Sequence, residues 1–236
     1  MRQAPRLAVA LDVDSHAAAM QAAATLRDHV DIVKVGIELF ISAGPRLVEE
    51  LVGAGWSVFL DLKLHDIPAT VAGAVRSATG LGVSLLTLHT SGGRRMIEAA
   101  AAARDSGTPR LLGVTILTSL DAVQIDEVGL RGGTDESVAR LATLARQAGC
   151  DGVVSSPHEA ATIKAAHGAD FLVVTPGIRP AGASVDDQAR VATAADAVEA
   201  GADILVVGRP IMKAPDPAAA AAAMRAEMER AYGRRS

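Results

Sequence analysis

The sequence predicts a protein of the α/β class, a closed eight-stranded parallel (β/α)8 (TIM) barrel formed by residues 1–236 as a single domain. Three observations carry that expectation. Short runs rich in Val, Ile and Leu recur from one end of the chain to the other, and alanine-rich stretches with helical spacing separate them. Strands that are apolar on both faces belong to a parallel sheet covered by helices, and eight such units favour closure over an open sheet. The chain has 236 residues, 50% of them apolar, which is enough for one large core.

In chain order the strands are expected at residues 7–11, 32–37, 58–62, 85–88, 111–117, 152–154, 171–174 and 204–207. Each is a compact apolar run bounded by a polar residue, a glycine or a turn. The helices between and after them are expected at 17–26, 45–52, 71–79, 95–104, 137–147, 157–166, 187–200 and 217–232. Ser15 ahead of the first helix, Asp135 near the fifth and Asp216 before Pro217 have the chemistry of N-caps. The alanine run at 218–223 reads as ordinary terminal helix, since alanine has the highest helix propensity. No Pro/Gly/Ser-rich linker divides the chain.

Charge narrows the function classes. A net charge of −4 and a pI near 5.9 argue against a nucleic-acid partner or an anionic membrane surface. Cys150 is the only cysteine, so an internal disulfide is impossible, and a buried structural thiol in a reducing compartment is expected. The apolar run after Arg6 stops at Asp12, too short for a signal core, and no run is long enough to span a bilayer. A soluble, cytoplasmic protein is expected.

Active sites of such barrels sit at the C-terminal ends of the strands. Those ends carry Asp12, Lys34, Asp61 with Lys63, His89, Thr118, Ser155 with Ser156, Thr175 with Arg179, and Gly208 with Arg209. Charged groups dominate the first three strands, whereas glycines and arginines dominate the last two. The segment Asp61-Leu62-Lys63-Leu64-His65-Asp66 is the densest of these. Asp61 and Lys63, two apart on a strand, project to one face and aim opposite charges at one spot. Lys34 is flanked by Val33 and Val35 in a barrel without edges, so it should face the ligand side and pair with a carboxylate, Asp61 being the natural partner. The glycine turns with Arg179 and Arg209 follow strands seven and eight, where barrels often hold a phosphate. Their plainer reading is that the glycines only make turns. His65 and His89 fit structural imidazoles better than general bases. No HExxH, CxxC, Walker-type or GxGxxG motif is present, so no metal and no cofactor is expected.

The residues Ala10-Leu11-Asp12, Val33-Lys34-Val35-Gly36, the FLDLKLHDIPxT form beginning at Phe59, Leu117-Thr118-Ser119, Asp151-Gly152-Val153-Val154, the stretch from Val174 to Arg179, and Val207-Gly208-Arg209 resemble the orotidine 5′-phosphate decarboxylase family along nearly the whole chain. The shorter DxKxxD element is shared with a wider suprafamily that includes keto-gulonate phosphate decarboxylases and hexulose phosphate synthases. The resemblance implies that Lys63 protonates C6 of the pyrimidine, Asp61 lies beside the substrate carboxylate, and Lys34 completes the charge network and touches the ribose. It implies ribose contacts from Asp12 and Thr70, a pyrimidine contact from Thr118, and a phosphate grip from Arg179, Gln188, Gly208 and Arg209. It further implies a homodimer in which Asp66 and Thr70 complete the neighbouring subunit's site. The small residues at 180–186 suit a lid that closes over the phosphate.

Rival readings remain. A Mg-dependent phosphosugar lyase of the same suprafamily is the nearest, although Lys34 puts a cation where a metal site wants a carboxylate. An isomerase or synthase on the same phosphate-binding barrel and a non-catalytic nucleotide sensor are the others.

Overall fold

The computed structural model describes residues 4–180 and 192–234, and within them eight parallel strands close into a barrel in chain order. The strands are β1 (Arg6–Ala10), β2 (Ile32–Gly36), β3 (Ser57–Leu64), β4 (Leu85–His89), β5 (Arg110–Val114), β6 (Gly152–Val154), β7 (Leu172–Thr175) and β8 (Ile204–Val207). Closure comes from β1 pairing with β8, Leu7 opposite Leu205 and Val9 opposite Val207. The helices are α1 (His16–Thr25), α2 (Ile37–Gly53), α3 (Pro68–Gly80), α4 (Arg94–Ala102), α5 (Ala122–Glu127), α6 (Thr134–Gln147), α7 (Ala160–His167), α8 (Ala194–Ala200), α9 (Arg209–Met212) and α10 (Pro217–Gly233).

The period of two along each strand divides the core into two layers. Ala8, Ile32, Phe59, Leu85, Leu112, Val174 and Ile204 fill the barrel interior. Their neighbours Leu7, Val33, Leu60, Leu86, Leu111, Val173 and Leu205 face outward and pack with helix residues such as Leu47, Val75, Ile97 and Ala197. Each fully buried large apolar side chain contributes about 1.5–3 kcal/mol, so both layers hold the frame on which the mouth is built.

The N-terminal end of the barrel is fastened by a repeated device. Asp31, Asp151 and Asp203 each precede an even-numbered strand and accept the N–H of Leu7, Leu111 and Val173 on the preceding strand, at 2.8, 2.7 and 2.7 Å. Each carboxylate also meets a cation, respectively Arg225, Arg104 and Lys164. Charge at this end therefore serves the frame, while charge at the other end is available for chemistry.

Several boundaries differ from expectation. Helix α2 begins at Ile37, expected as the last residue of a strand, because the apolar run continues across the strand–helix junction. Its second half begins at Pro45, as expected, after a break at Gly44, whose φ of 70° lies in the left-handed region. Strand β5 ends at Val114 and not at Leu117. Helix α5 was not foreseen, although Asp121 and Gln124 form a reciprocal capping box at its start. Ser15 sits at the N-cap of α1 without a side-chain bond, and Asp135 lies inside the first turn of α6, where Gly133 is the cap. Asp216 behaves as expected, accepting from Ala219 N at 3.0 Å, an N-cap bond of the kind that contributes about 1 kcal/mol. Of the helix expected at 187–200, the part at 187–191 lies outside the described residues. Cys150 is buried, as expected, and burial above all pushes its thiol up to about 12. Among the described residues no helix is long and apolar enough to cross a membrane.

Candidate active site

The inward parity of each strand, carried past its end, brings the polar residues to the C-terminal mouth. Ala8 and Ala10 lead to Asp12, Ile32 to Lys34, Phe59 to Asp61 and Lys63, Leu112 to Thr118, and Val206 to Gly208. They line a cavity of about 250 Å³, together with Gly177, Arg179 and Arg209. The cavity thus collects every expected mouth residue of the first three strands and of the Gly/Arg turns. Ser155 and Thr175, of opposite parity, are buried but do not line it.

Asp61 is the hub. Its Oδ1 and Oδ2 lie 2.9 and 2.8 Å from Lys63 Nζ, and Oδ2 lies 3.7 Å from Lys34 Nζ. Thr87 Oγ1 donates to Asp61 Oδ1 at 2.8 Å and accepts from the Lys63 backbone N at 2.9 Å. The expected Lys34–Asp61 and Asp61–Lys63 pairs are therefore both present. Simple strand alternation is not the whole reason. The β3–β4 register shifts between Leu60 and Leu64, and Lys63 has a φ of 50°, so a local irregularity turns the lysine toward the carboxylate.

Burial, the largest single influence on the Asp61 carboxyl, raises its proton affinity. The charges of Lys34 and Lys63 and the hydrogen bonds from Lys63 and Thr87 outweigh burial together and hold it below the usual carboxylate range. The carboxylate is thereby kept ionised between two ammonium groups. The His89 and His65 rings pack in a tilted arrangement, with centroids 5.3 Å apart. Burial first, then the proximity of His65 and Lys63, lowers the His89 imidazole.

Across the mouth, the Asp12 side chain lies against Gly208 so closely that a Cβ there would collide with it. A side chain at this position would have to displace the Asp12 carboxylate from the mouth. Arg179 is buried, with Nη1 donating to the Ile178 carbonyl at 3.0 Å, which holds the guanidinium at the rim. Arg209 opens α9 directly after Gly208.

Asp66 and Thr70 are not brought into this cavity. Both are exposed on the segment after β3, and Asp66 Oδ1 accepts from Ile67 N at 2.6 Å. The resemblance assigns both to the neighbouring subunit's site, so their place outside this chain's own cavity does not contradict it. Gln188 and the expected lid, apart from Pro180, lie outside the described residues. Thr87 was missed. A lone hydroxyl with the inward parity of Leu85, in an otherwise apolar run, was the signal that pointed to it. Among the described residues no group of three or more His, Cys, Asp or Glu side chains is placed to share a metal ion.

A closed (β/α)8 barrel with an acid–base cluster on one wall of its mouth and glycine–arginine turns on the other defines the class. A model of the orotidine 5′-phosphate decarboxylase / HUMPS family matches residues 5–224, and the chain belongs to that family. The orotidine 5′-phosphate decarboxylase of Halorhodospira halophila is 57% identical over 226 residues, covering 95% of this chain and 96% of the relative. That of Anaeromyxobacter sp. is 53% identical, covering 96% and 99%. The solved structure of the Lactobacillus acidophilus orotidine 5′-phosphate decarboxylase is similar with a TM-score of 0.84 and 40% identity, over 96% of this chain and 99% of that one. All three carry the decarboxylase name and none that of a phosphosugar lyase.

Proposed function

We propose that this chain converts orotidine 5′-phosphate to uridine 5′-phosphate and carbon dioxide, without metal or organic cofactor, as a carboxy-lyase in uridylate synthesis. The observation that carries the reading is Asp61 held between Lys34 and Lys63 at the mouth of a barrel belonging to this family.

Breaking the bond from C6 to the carboxylate leaves an electron pair on C6 that the ring does not readily delocalise. An enzyme without an electron sink must stabilise that localised charge electrostatically and then protonate it. In this reading the Lys63 ammonium does both. The bond to carbon dioxide breaks, the pair stays on C6, a proton passes from Lys63 Nζ to C6, and water later restores the ammonium. Asp61 lies beside the departing carboxylate and holds Lys63 in place, and Lys34 completes the network and reaches the ribose. Asp12 takes the ribose hydroxyls, Thr118 the pyrimidine, and Arg179, Gln188, Gly208 and Arg209 the phosphate.

The working form is a homodimer in which Asp66 and Thr70 complete the partner's site. Their exposure, and the 66% exposure of Ile67 between them, support it, since an apolar side chain flanked by site residues suits a subunit contact. The substrate is a small nucleotide, with no nucleic-acid or membrane partner, and the location is cytoplasmic.

Incubating the purified protein with orotidine 5′-phosphate and EDTA tests the reading. Formation of uridine 5′-phosphate undiminished by the chelator is expected. Absence of product, or activity abolished by EDTA and restored by Mg²⁺, would overturn it.

A further inference from the structure

Thr87 interrupts the apolar run of β4, and the alternation that points Leu85 into the barrel points Thr87 there too. Its side chain is fully buried. A hydroxyl has one proton to give and lone pairs to accept with. The proton goes to Asp61 Oδ1 and a lone pair receives the Lys63 backbone N–H. An ionised carboxylate has no proton to donate, so the direction of both bonds is fixed, and each polarises the other.

The bond to Lys63 also fills a gap in the sheet. Where the β3–β4 register shifts, Lys63 adopts a left-handed backbone that a residue with a side chain rarely takes. The Thr87 hydroxyl accepts its N–H there. Thr90, Ser155 and Thr175 are buried at the same end of the barrel, yet their hydroxyls have no hydrogen-bond partner among the described residues. Double engagement is thus a property of Thr87 and not of every buried hydroxyl in this region.

We propose that Thr87 is a positioning residue whose single hydroxyl locks the Asp61 carboxylate and the Lys63 backbone into the arrangement that aims the Lys63 ammonium at the reacting carbon. The proposal rests on the decarboxylase reading above. Thr87 does not line the cavity, so it acts through its two partners and not on the substrate.

Thr87→Val keeps the shape and removes both bonds, whereas Thr87→Ser keeps the hydroxyl. With orotidine 5′-phosphate, Thr87→Val is expected to lower kcat about ten- to hundredfold, the usual cost of losing an orienting partner, with KM within about threefold of the parent. Thr87→Ser is expected to restore kcat to within about threefold. A readout without substrate is the ¹³C titration of the Asp61 carboxyl, which should move to higher pH in Thr87→Val and return in Thr87→Ser. The other charged or titratable groups facing it, Asp12, Lys34, Lys63 and His89, are untouched by either change. If Thr87→Val does not fold, Thr87→Ala takes its place with the same expectation. Parent-like kcat and Asp61 titration in Thr87→Val, a serine variant as impaired as the valine one, or a loss confined to KM would overturn the proposal. A parent that forms no uridine 5′-phosphate would instead overturn the functional reading, and the titration would still decide whether Thr87 holds Asp61.

Discussion

Removing the charge of Asp61 should destabilise the fold, whereas removing that of Lys63 should not. The cluster reads plus, minus, plus along Lys34, Asp61 and Lys63, so Asp61→Asn leaves two ammonium groups without their shared counter-ion. At 3.7 and 2.8 Å and an effective dielectric of about 20, the two attractions are roughly 4.5 and 6 kcal/mol before desolvation is counted. Desolvation offsets most of that, and breaking a buried pair from one side costs about 3–5 kcal/mol. The side chains of Lys34 and Lys63 are 13% and 29% exposed, and the access of Lys63 to water puts the expectation at the low end, about 3 kcal/mol. For a chain of this size that is a fall in Tm of roughly 6–12 °C. Lys63→Met leaves the Lys34–Asp61 pair intact, and its expected change is within about 1 kcal/mol.

The assay is thermal or urea unfolding at fixed protomer concentration, repeated through the acid range. The folded state holds the Asp61 carboxyl below its ordinary range, so its contribution is present above the unfolded value of about 4 and fades as pH falls through the folded one. The gap between parent and Asp61→Asn should therefore narrow below about pH 4. An Asp61→Asn protein as stable as the parent at pH 7, or a gap that widens on acidification, would refute the reasoning.

Two further outcomes are expected. Mixing Lys63→Ala with Asp66→Asn subunits should recover roughly a quarter of normal activity, since half of randomly reassorted dimers are mixed and each has one intact site; no recovery despite verified exchange would contradict site sharing. Cys150 should resist a thiol reagent in the native protein and react at once in denaturant, because burial keeps the thiol protonated and covered.

The barrel was legible because Val, Ile and Leu runs apolar on both faces leave little alternative to a covered parallel sheet. What it hid was of a local kind. Ile37 is apolar in either state, so the β2–α2 junction shows only in the fold. The left-handed turn at Lys63 has no glycine or asparagine to announce it. Thr87 passes for a β-branched strand former until its partners are seen. Lys34 with Asp61 was readable from the cost of burying an unpaired charge, whereas the role of Asp66 and Thr70 in a neighbouring site entered only through resemblance, because one chain leaves them outside the cavity.

The central claim, that Lys63 delivers the proton to C6, is tested most directly by incubating uridine 5′-phosphate with the protein in D₂O and following the C6–H signal by NMR. The account predicts slow replacement of that hydrogen by deuterium in the parent and none above background in a folded Lys63→Ala variant that still binds the nucleotide. Exchange as fast in Lys63→Ala as in the parent would contradict it.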